Sequence, residues 1–334
     1  MRTIREQRSR LKLLSIVAVV ALGTLAGNTV YAQNLRGNVV VDGSSTVYPI
    51  TEAVAEEFRK EQPNVRVTVG ISGTGGGFKR FAIGETDISN ASRPIKATEL
   101  AATHENNIAF IELPIAYDGL SIVVNRENIW CKSLTIEQLR SIYIEGSTVK
   151  SWRDLDPSYP DIPIKLYGPG ADSGTFDYFR EVVIRDGNVR SDMSPSEDDN
   201  VLVTGVAGDR GAIGFFGCAY YFENKDKLNV VAIDGGKGPV APSPETIENG
   251  TYAPLSRPLF IYVNARSARK PQVRAFVTFY LKHAAKLADE VGYVRLPSEV
   301  YARAERNFDQ MKTGTYYLDE TGNPIEGPVS EVYK

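Results

Sequence analysis

Residues 65–82 read VRVTVGISGTGGGFKRFA. Val65, Val67, Val69 and Ile71 alternate with Arg66, Thr68 and Gly70, the period-two pattern of a half-buried strand. The turn Ser72-Gly73-Thr74-Gly75-Gly76-Gly77 follows, and Phe78, Phe81 and Ala82 then recur at helical spacing. A strand that passes through small and hydroxyl residues into a helix is the building unit of an α/β sheet. The helix start presents unpaired N–H groups and the positive end of the helix dipole, which suit an anion.

The same unit recurs on either side. Upstream, a β-branched run at Asn38 to Asp42 ends in Gly43-Ser44-Ser45-Thr46. A helix follows, marked by Val47, Ile50, Val54 and Phe58 and stopped by Pro63. Downstream, a strand is expected at Thr86 to Ala91, a helix at Ala97 to His104, and strands at Ile108 to Pro114 and Leu120 to Asn125. The alternation restarts with a strand at Ile164 to Tyr167, a turn at Gly168 to Thr175 and a helix at Phe176 to Arg185. Strands at Ala212 to Phe216, Leu228 to Ile233 and Leu259 to Asn264 follow, with a Gly/Pro-rich excursion between Gly235 and Pro244. The longest helical pattern is Val273 to Val291. This order predicts an α/β fold with parallel pairing. Beyond Asn307 the chain is polar and is expected to wrap the surface. No 20–50-residue repeat is visible, which excludes solenoids and propellers.

With 334 residues, 42% of them hydrophobic and 24% charged, the chain has material for about two domains and belongs to the ordinary globular class. A formal net charge of −3 argues against a dedicated nucleic-acid binder. His104 and His283 are the only histidines, and each reads as a surface residue. A His/Cys metal cage is therefore not expected, nor a Ser-His-Asp site. Arg2, Arg5, Arg8, Arg10 and Lys12 precede a short apolar run, Leu13 to Leu25, and Val30-Tyr31-Ala32 fits a cleavage site. Residues 1–32 thus read as a signal peptide cleaved near Ala32, with an uncleaved anchor as the alternative. Their removal leaves 33 basic against 40 acidic residues, a net charge of −7. In an oxidising compartment the two cysteines, Cys131 and Cys218, are expected to form a disulfide. It would close a loop of about 87 residues and contribute at most ~4–5 kcal/mol. Two buried thiols are the alternative.

Three turns share one design: Gly43 to Thr46, Ser72 to Gly77, and Asp172-Ser173-Gly174-Thr175. Any one of them alone is explained as an ordinary N-cap. Three in one chain point to a shared anion pocket. A fourth segment, Asn90-Ala91-Ser92-Arg93-Pro94, places Arg93 at the carboxyl end of a strand, where open α/β sheets bind ligands. An Arg fork suits a tetrahedral oxyanion. The P-loop, G-x-G-x-x-G and G-x-S-x-G patterns are absent, so a nucleotide enzyme or hydrolase is poorly supported.

Taken together, Asp42 to Pro49, Gly70 to Lys79, Asp87 to Arg93 and Asp172 to Thr175 resemble the PstS type, the periplasmic phosphate-binding proteins of bacterial phosphate ABC transporters. Arg257-Pro258-Leu259-Phe260-Ile261-Tyr262-Val263 looks like the family's returning segment. Gly168-Pro169-Gly170 with the cysteine pair looks like the cyanobacterial SphX branch. The likeness runs from about Gly37 to about Asn307.

The resemblance implies a two-lobed periplasmic-binding-protein (type II) fold with two hinge strands and a central ligand cleft. Lobe I would hold residues 34–120 with 260–308, lobe II 121–259, and 309–334 would form a C-terminal tail. By position, phosphate would be bound by Ser45, Thr46, Ser72, Thr74, Ser92, Arg93, Ser173, Gly174 and Thr175. No metal or cofactor is implied. The implied partners are inorganic phosphate and the membrane permease of an ABC importer, with a monomeric, non-catalytic, periplasmic protein. Arg93 stands where known members carry an Asp, and Pro169 where they carry an Arg. The carboxylate that would accept the phosphate proton is thereby displaced, and Asp172 and Asp118 are the candidates. Alternatives are a receptor for sulfate or molybdate, a sensor of phosphate scarcity, and a secreted phosphatase.

Overall fold

A computed structural model describes residues 35–171 and 173–334; the expected signal peptide and Asp172 lie outside them. Strand β1 (Gly37–Gly43) buries Val39 and Val41, and leads through Ser44–Val47 into α1 (Tyr48–Glu61). Pro49 occupies the first turn of α1, where a missing N–H breaks no helical bond. Ile50, Val54 and Phe58 form the stripe that α1 buries. Then come β2 (Val65–Val69), α2 (Gly73–Ala82), β3 (Ile88–Ala91), α3 (Ala97–Glu105) and β4 (Phe110–Asn125). The middle of the chain supplies β5 (Ser133–Thr135), α4 (Ile136–Tyr143), α5 (Trp152–Leu155), β6 (Lys165–Gly168) and α6 (Gly174–Phe179). A π-helical turn, Arg180–Ile184, extends α6. After β7 (Ser194–Pro195), α7 (Asp199–Gly208), β8 (Ala212–Gly217) and α8 (Cys218–Glu223) come β9 (Leu228–Val230), β10 (Ala232–Asp234) and β11 (Pro239–Val240). The last elements are α9 (Pro244–Glu248), β12 (Ser256–Asn264), α10 (Pro271–Glu290), α11 (Ser298–Asp309) and α12 (Val329–Val332).

The main sheet runs β2-β1-β3-β12-β4-β8-β6-β7, with β9 also on β4; β11-β10-β5 form a small second sheet. The β1–β2, β1–β3, β6–β8 and β6–β7 pairs are parallel, as expected. The centre differs, because β12 runs antiparallel to both β3 and β4, and β4 antiparallel to β8.

Strand β4 is one continuous 16-residue strand, buried along its whole length, where two strands split between Pro114 and Leu120 were expected. Its first part pairs with β12 and its last residues with β8 and β9. Pro114 has no N–H to offer, and the ladder absorbs this by a register shift opposite Leu259 and Phe260 rather than by a turn. The expected strand Leu228 to Ile233 is broken at Val231, whose N–H bonds to the Ile122 carbonyl at 2.8 Å, so β9 and β10 serve different sheets.

Two further expectations are corrected. The chain beyond Asn307 does more than wrap the surface. Tyr317, Val329 and Tyr333 are buried, Tyr317 packing on Phe260 with ring centroids 5.1 Å apart. Glu112 of β4 accepts hydrogen bonds from Thr315 Oγ1 (2.7 Å) and the Tyr316 N–H (2.9 Å), which anchors the tail to the sheet. Cys131 and Cys218 are both free and buried, not bridged. Cys131 follows Trp130 and its N–H bonds to Asn128 at 3.1 Å, whereas Cys218 opens α8 against Gly119 and Ile247. Burial pushes Cys131 up to about 12, and burial together with the Asp118 carboxylate pushes Cys218 well above the usual thiol range.

Candidate anion-binding site

The turn after β1 and the turn before α6 touch directly. Thr46 Oγ1 donates to the Gly174 carbonyl at 3.4 Å, and Ser45 Oγ donates to Asp177 Oδ2 at 3.1 Å. A Cβ on Gly174 would lie 2.6 Å from Thr46 Cα and 2.9 Å from its N, so only glycine permits this approach. Ser173 caps α6 by accepting from the Thr175 N–H at 3.2 Å. Ser45, Ser173, Gly174 and Thr175 also line a cavity of about 670 Å³ with Tyr220 and Tyr293. Asp199, on the wall of that cavity, is pushed up to about 6 by burial and by its neighbours Asp198 and Glu197.

The glycine-rich turn is organised by Asp42 at the end of β1. Its Oδ1 accepts from the N–H of Gly43 (2.8 Å) and of Ser72 (3.1 Å), while Arg80 pairs with Oδ2. Ser72 is the N-cap of α2 without a side-chain cap bond. Thr74 and Ser92 meet at 3.0 Å between their hydroxyl oxygens, and the Ser92 N–H donates to Thr74 Oγ1 at 3.2 Å. Thr74 and Ser92 therefore share one place, as do Ser45, Thr46 and the residues of the Ser173 turn. Arg93 is engaged elsewhere: both arms of its fork lie on Glu99 of α3, at 2.9 and 2.7 Å, and it also donates to the Pro94 carbonyl.

The guanidinium that meets the Ser45–Thr46 turn belongs to Arg257, at the start of β12. Nη2 donates to Thr46 Oγ1 at 3.0 Å, Nη1 donates to Glu181 Oε2 at 3.0 Å, and the guanidinium carbon lies 3.6 Å from the Tyr178 ring centroid. Directly across the ladder stands Asp118 of β4, fully buried. Arg257 Nε is 3.4 Å from Asp118 Oδ2, close enough for an ion pair but not aligned as a hydrogen bond. Among the described residues no donor is aligned on either Asp118 oxygen. Burial raises the Asp118 pKa, and Arg257 opposes that shift. A buried carboxylate short of donors, beside a guanidinium, is suited to accept a proton from a bound acid.

Arg257 and Asp118 are the residues that sequence reasoning weighted too lightly. Asp118 is one of two charges, with Glu112, in the apolar stretch Phe110 to Val124, and Arg257 stands just ahead of the apolar run Leu259 to Val263. Opposite charges set in two apolar strands signal partners, since an unpaired buried charge is costly.

Residues 28–283 match the PBP superfamily domain. The chain belongs to the PBP superfamily. Among its relatives in that superfamily, it is 48% identical to Protein SphX of Synechococcus elongatus over 98% of this chain and 97% of that protein. A crystal structure of a possible phosphate binding protein from Planctomyces limnophilus is 43% identical. It superposes with a TM-score of 0.79 over 83% of this chain and 99% of the other. An ABC-type phosphate transport receptor from Vibrio cholerae is 26% identical, with a TM-score of 0.57 over 78% of this chain and all of that one. The α/β periplasmic-binding-protein fold of this superfamily accounts for the sheet order described above.

Proposed function

We propose that this chain is an exported, non-catalytic receptor that captures inorganic phosphate and delivers it to the membrane permease of an ABC importer. The observation that carries this reading is Arg257, held between Thr46, Tyr178 and buried Asp118 where the Ser45 and Ser173 turns meet. Arg257 supplies the cation, and the two helix starts add oriented N–H groups and hydroxyls from Ser45, Thr46, Ser173, Gly174 and Thr175. Thr74 and Ser92 add a hydroxyl pair, Ser72 shapes the turn that carries Thr74, and Arg93, neutralised by Glu99, braces the segment that carries Ser92. Asp118 accepts the proton of hydrogen phosphate and repels fully ionised sulfate.

Residues 34–120 with 260–308 form lobe I and 121–259 lobe II, with β4 and β12 crossing between them; the protein is a monomer in the periplasm after cleavage near Ala32. The SphX, Planctomyces and Vibrio relatives support the reading. Isothermal titration of the mature protein is expected to show one phosphate site and little heat with sulfate. Heat with sulfate or molybdate alone moves the reading to another oxyanion.

A further inference from the structure

Arg257 has three polar partners, and they are not equivalent. Asp118 is fully buried on a central strand and cannot leave without unpairing a buried charge. Thr46 is a buried hydroxyl held against the Gly174 carbonyl of the facing turn. Glu181 is different: its side chain is 67% exposed, whereas that of Arg257 is 13% exposed, and water is at hand to receive its carboxylate. Glu181 sits in the π-helical turn Arg180–Ile184 that continues α6, a local irregularity frequent at functional sites. Its Oε2 lies 3.0 Å from Arg257 Nη1, the distance at which an oxygen of a bound oxyanion would sit.

The charge count points the same way. One guanidinium faced by two carboxylates, Asp118 and Glu181, carries one net negative charge. An incoming phosphate dianion is repelled by that arrangement. With Glu181 turned out to solvent, the remaining pair is neutral and Nη1 is free to donate.

We propose that Glu181 is a resident competitor for the anion: its carboxylate holds Arg257 Nη1 in the unliganded protein and is displaced when phosphate binds. This rests on the phosphate reading above. It makes Glu181 a residue that sets affinity without touching the ligand. The Arg257–Glu181 pair stabilises the free state only, so the bound state gains from its loss.

The test compares wild type with Glu181→Gln and Glu181→Ala by phosphate titration at fixed pH and low salt, with melting temperatures measured without ligand. The expected result is tighter binding in both variants by about three- to fivefold, the range of a part-exposed ion pair removed from the free state. The larger gain is expected for Glu181→Ala, because a Gln carbonyl still accepts from Nη1, and both chains should melt close to wild type. Unchanged or weaker binding in variants that melt like wild type overturns the proposal, because Glu181 would then merely position Arg257. If wild type itself binds no phosphate, the functional reading falls together with this one; if wild type binds and the variants do not gain, only the Glu181 proposal falls.

Discussion

Arg257 and Asp118 face each other across the β12–β4 ladder, a surface-type cation and a fully buried carboxylate 3.4 Å apart in the middle of the sheet. Burying such a pair is costly unless further partners complete it, and an acidic oxyanion is such a partner. On the phosphate reading proposed above, the pair is a binding device more than a structural brace.

The two arginines separate under mutation. Arg257→Ala removes two donors that face the site, and at roughly 1.5–3 kcal/mol for each charge-assisted bond this weakens phosphate binding about a hundredfold or more. Arg93→Ala removes a guanidinium already satisfied by Glu99 and costs about tenfold or less. Titration calorimetry of both variants checks the order; a larger loss for Arg93 would place the ligand on the other side of Ser92.

Asp118→Asn replaces a proton acceptor by a group that can also donate. Phosphate binding is expected to weaken and sulfate binding to strengthen, narrowing the preference between them by about tenfold or more. Competition of sulfate against labelled phosphate measures it. An unchanged ratio assigns the proton to another group.

Burial raises Glu112 from its ordinary 4.5 to about 7, against the opposing bonds from Tyr316, Thr315 and Tyr262. A carboxyl with a raised folded-state pKa binds more protons folded than unfolded, so stability falls with rising pH. The contribution is intact below about pH 4.5 and is lost progressively as pH rises to about 7. The full change is of the order of 3 kcal/mol. Glu112→Gln is expected to flatten this part of the pH–stability curve, as followed by denaturant unfolding between pH 4 and 8. A parallel curve for the variant would locate the effect elsewhere.

The free cysteines give a chemical readout. Thiol reagent is expected to find no reactive thiol in the native mature protein and two after denaturation, and reductant should leave the melting temperature unchanged. Failure to label either thiol after denaturation would restore the bridge.

Local pattern carried the order of elements well. The strand–turn–helix units around Ser45, Thr74 and Ser173 are legible because hydroxyl and glycine residues at helix starts report backbone geometry directly. The disulfide was misjudged because an even cysteine count reports a compartment, not whether two thiols meet. Tyr317, Val329 and Tyr333 looked like surface residues because isolated apolar residues in a polar tail carry no period.

The chain's own pattern determined the α/β class, the three turns and their suitability for an anion, since each depends on residues a few positions apart. Tertiary structure decided which guanidinium meets the Ser45–Thr46 turn. Arg93 and Arg257 are 164 positions apart in the chain, and only the antiparallel pairing of β12 with β4 sets one of them against Asp118 and Thr46. Charge energy depends on distance and burial, and neither is written along the chain.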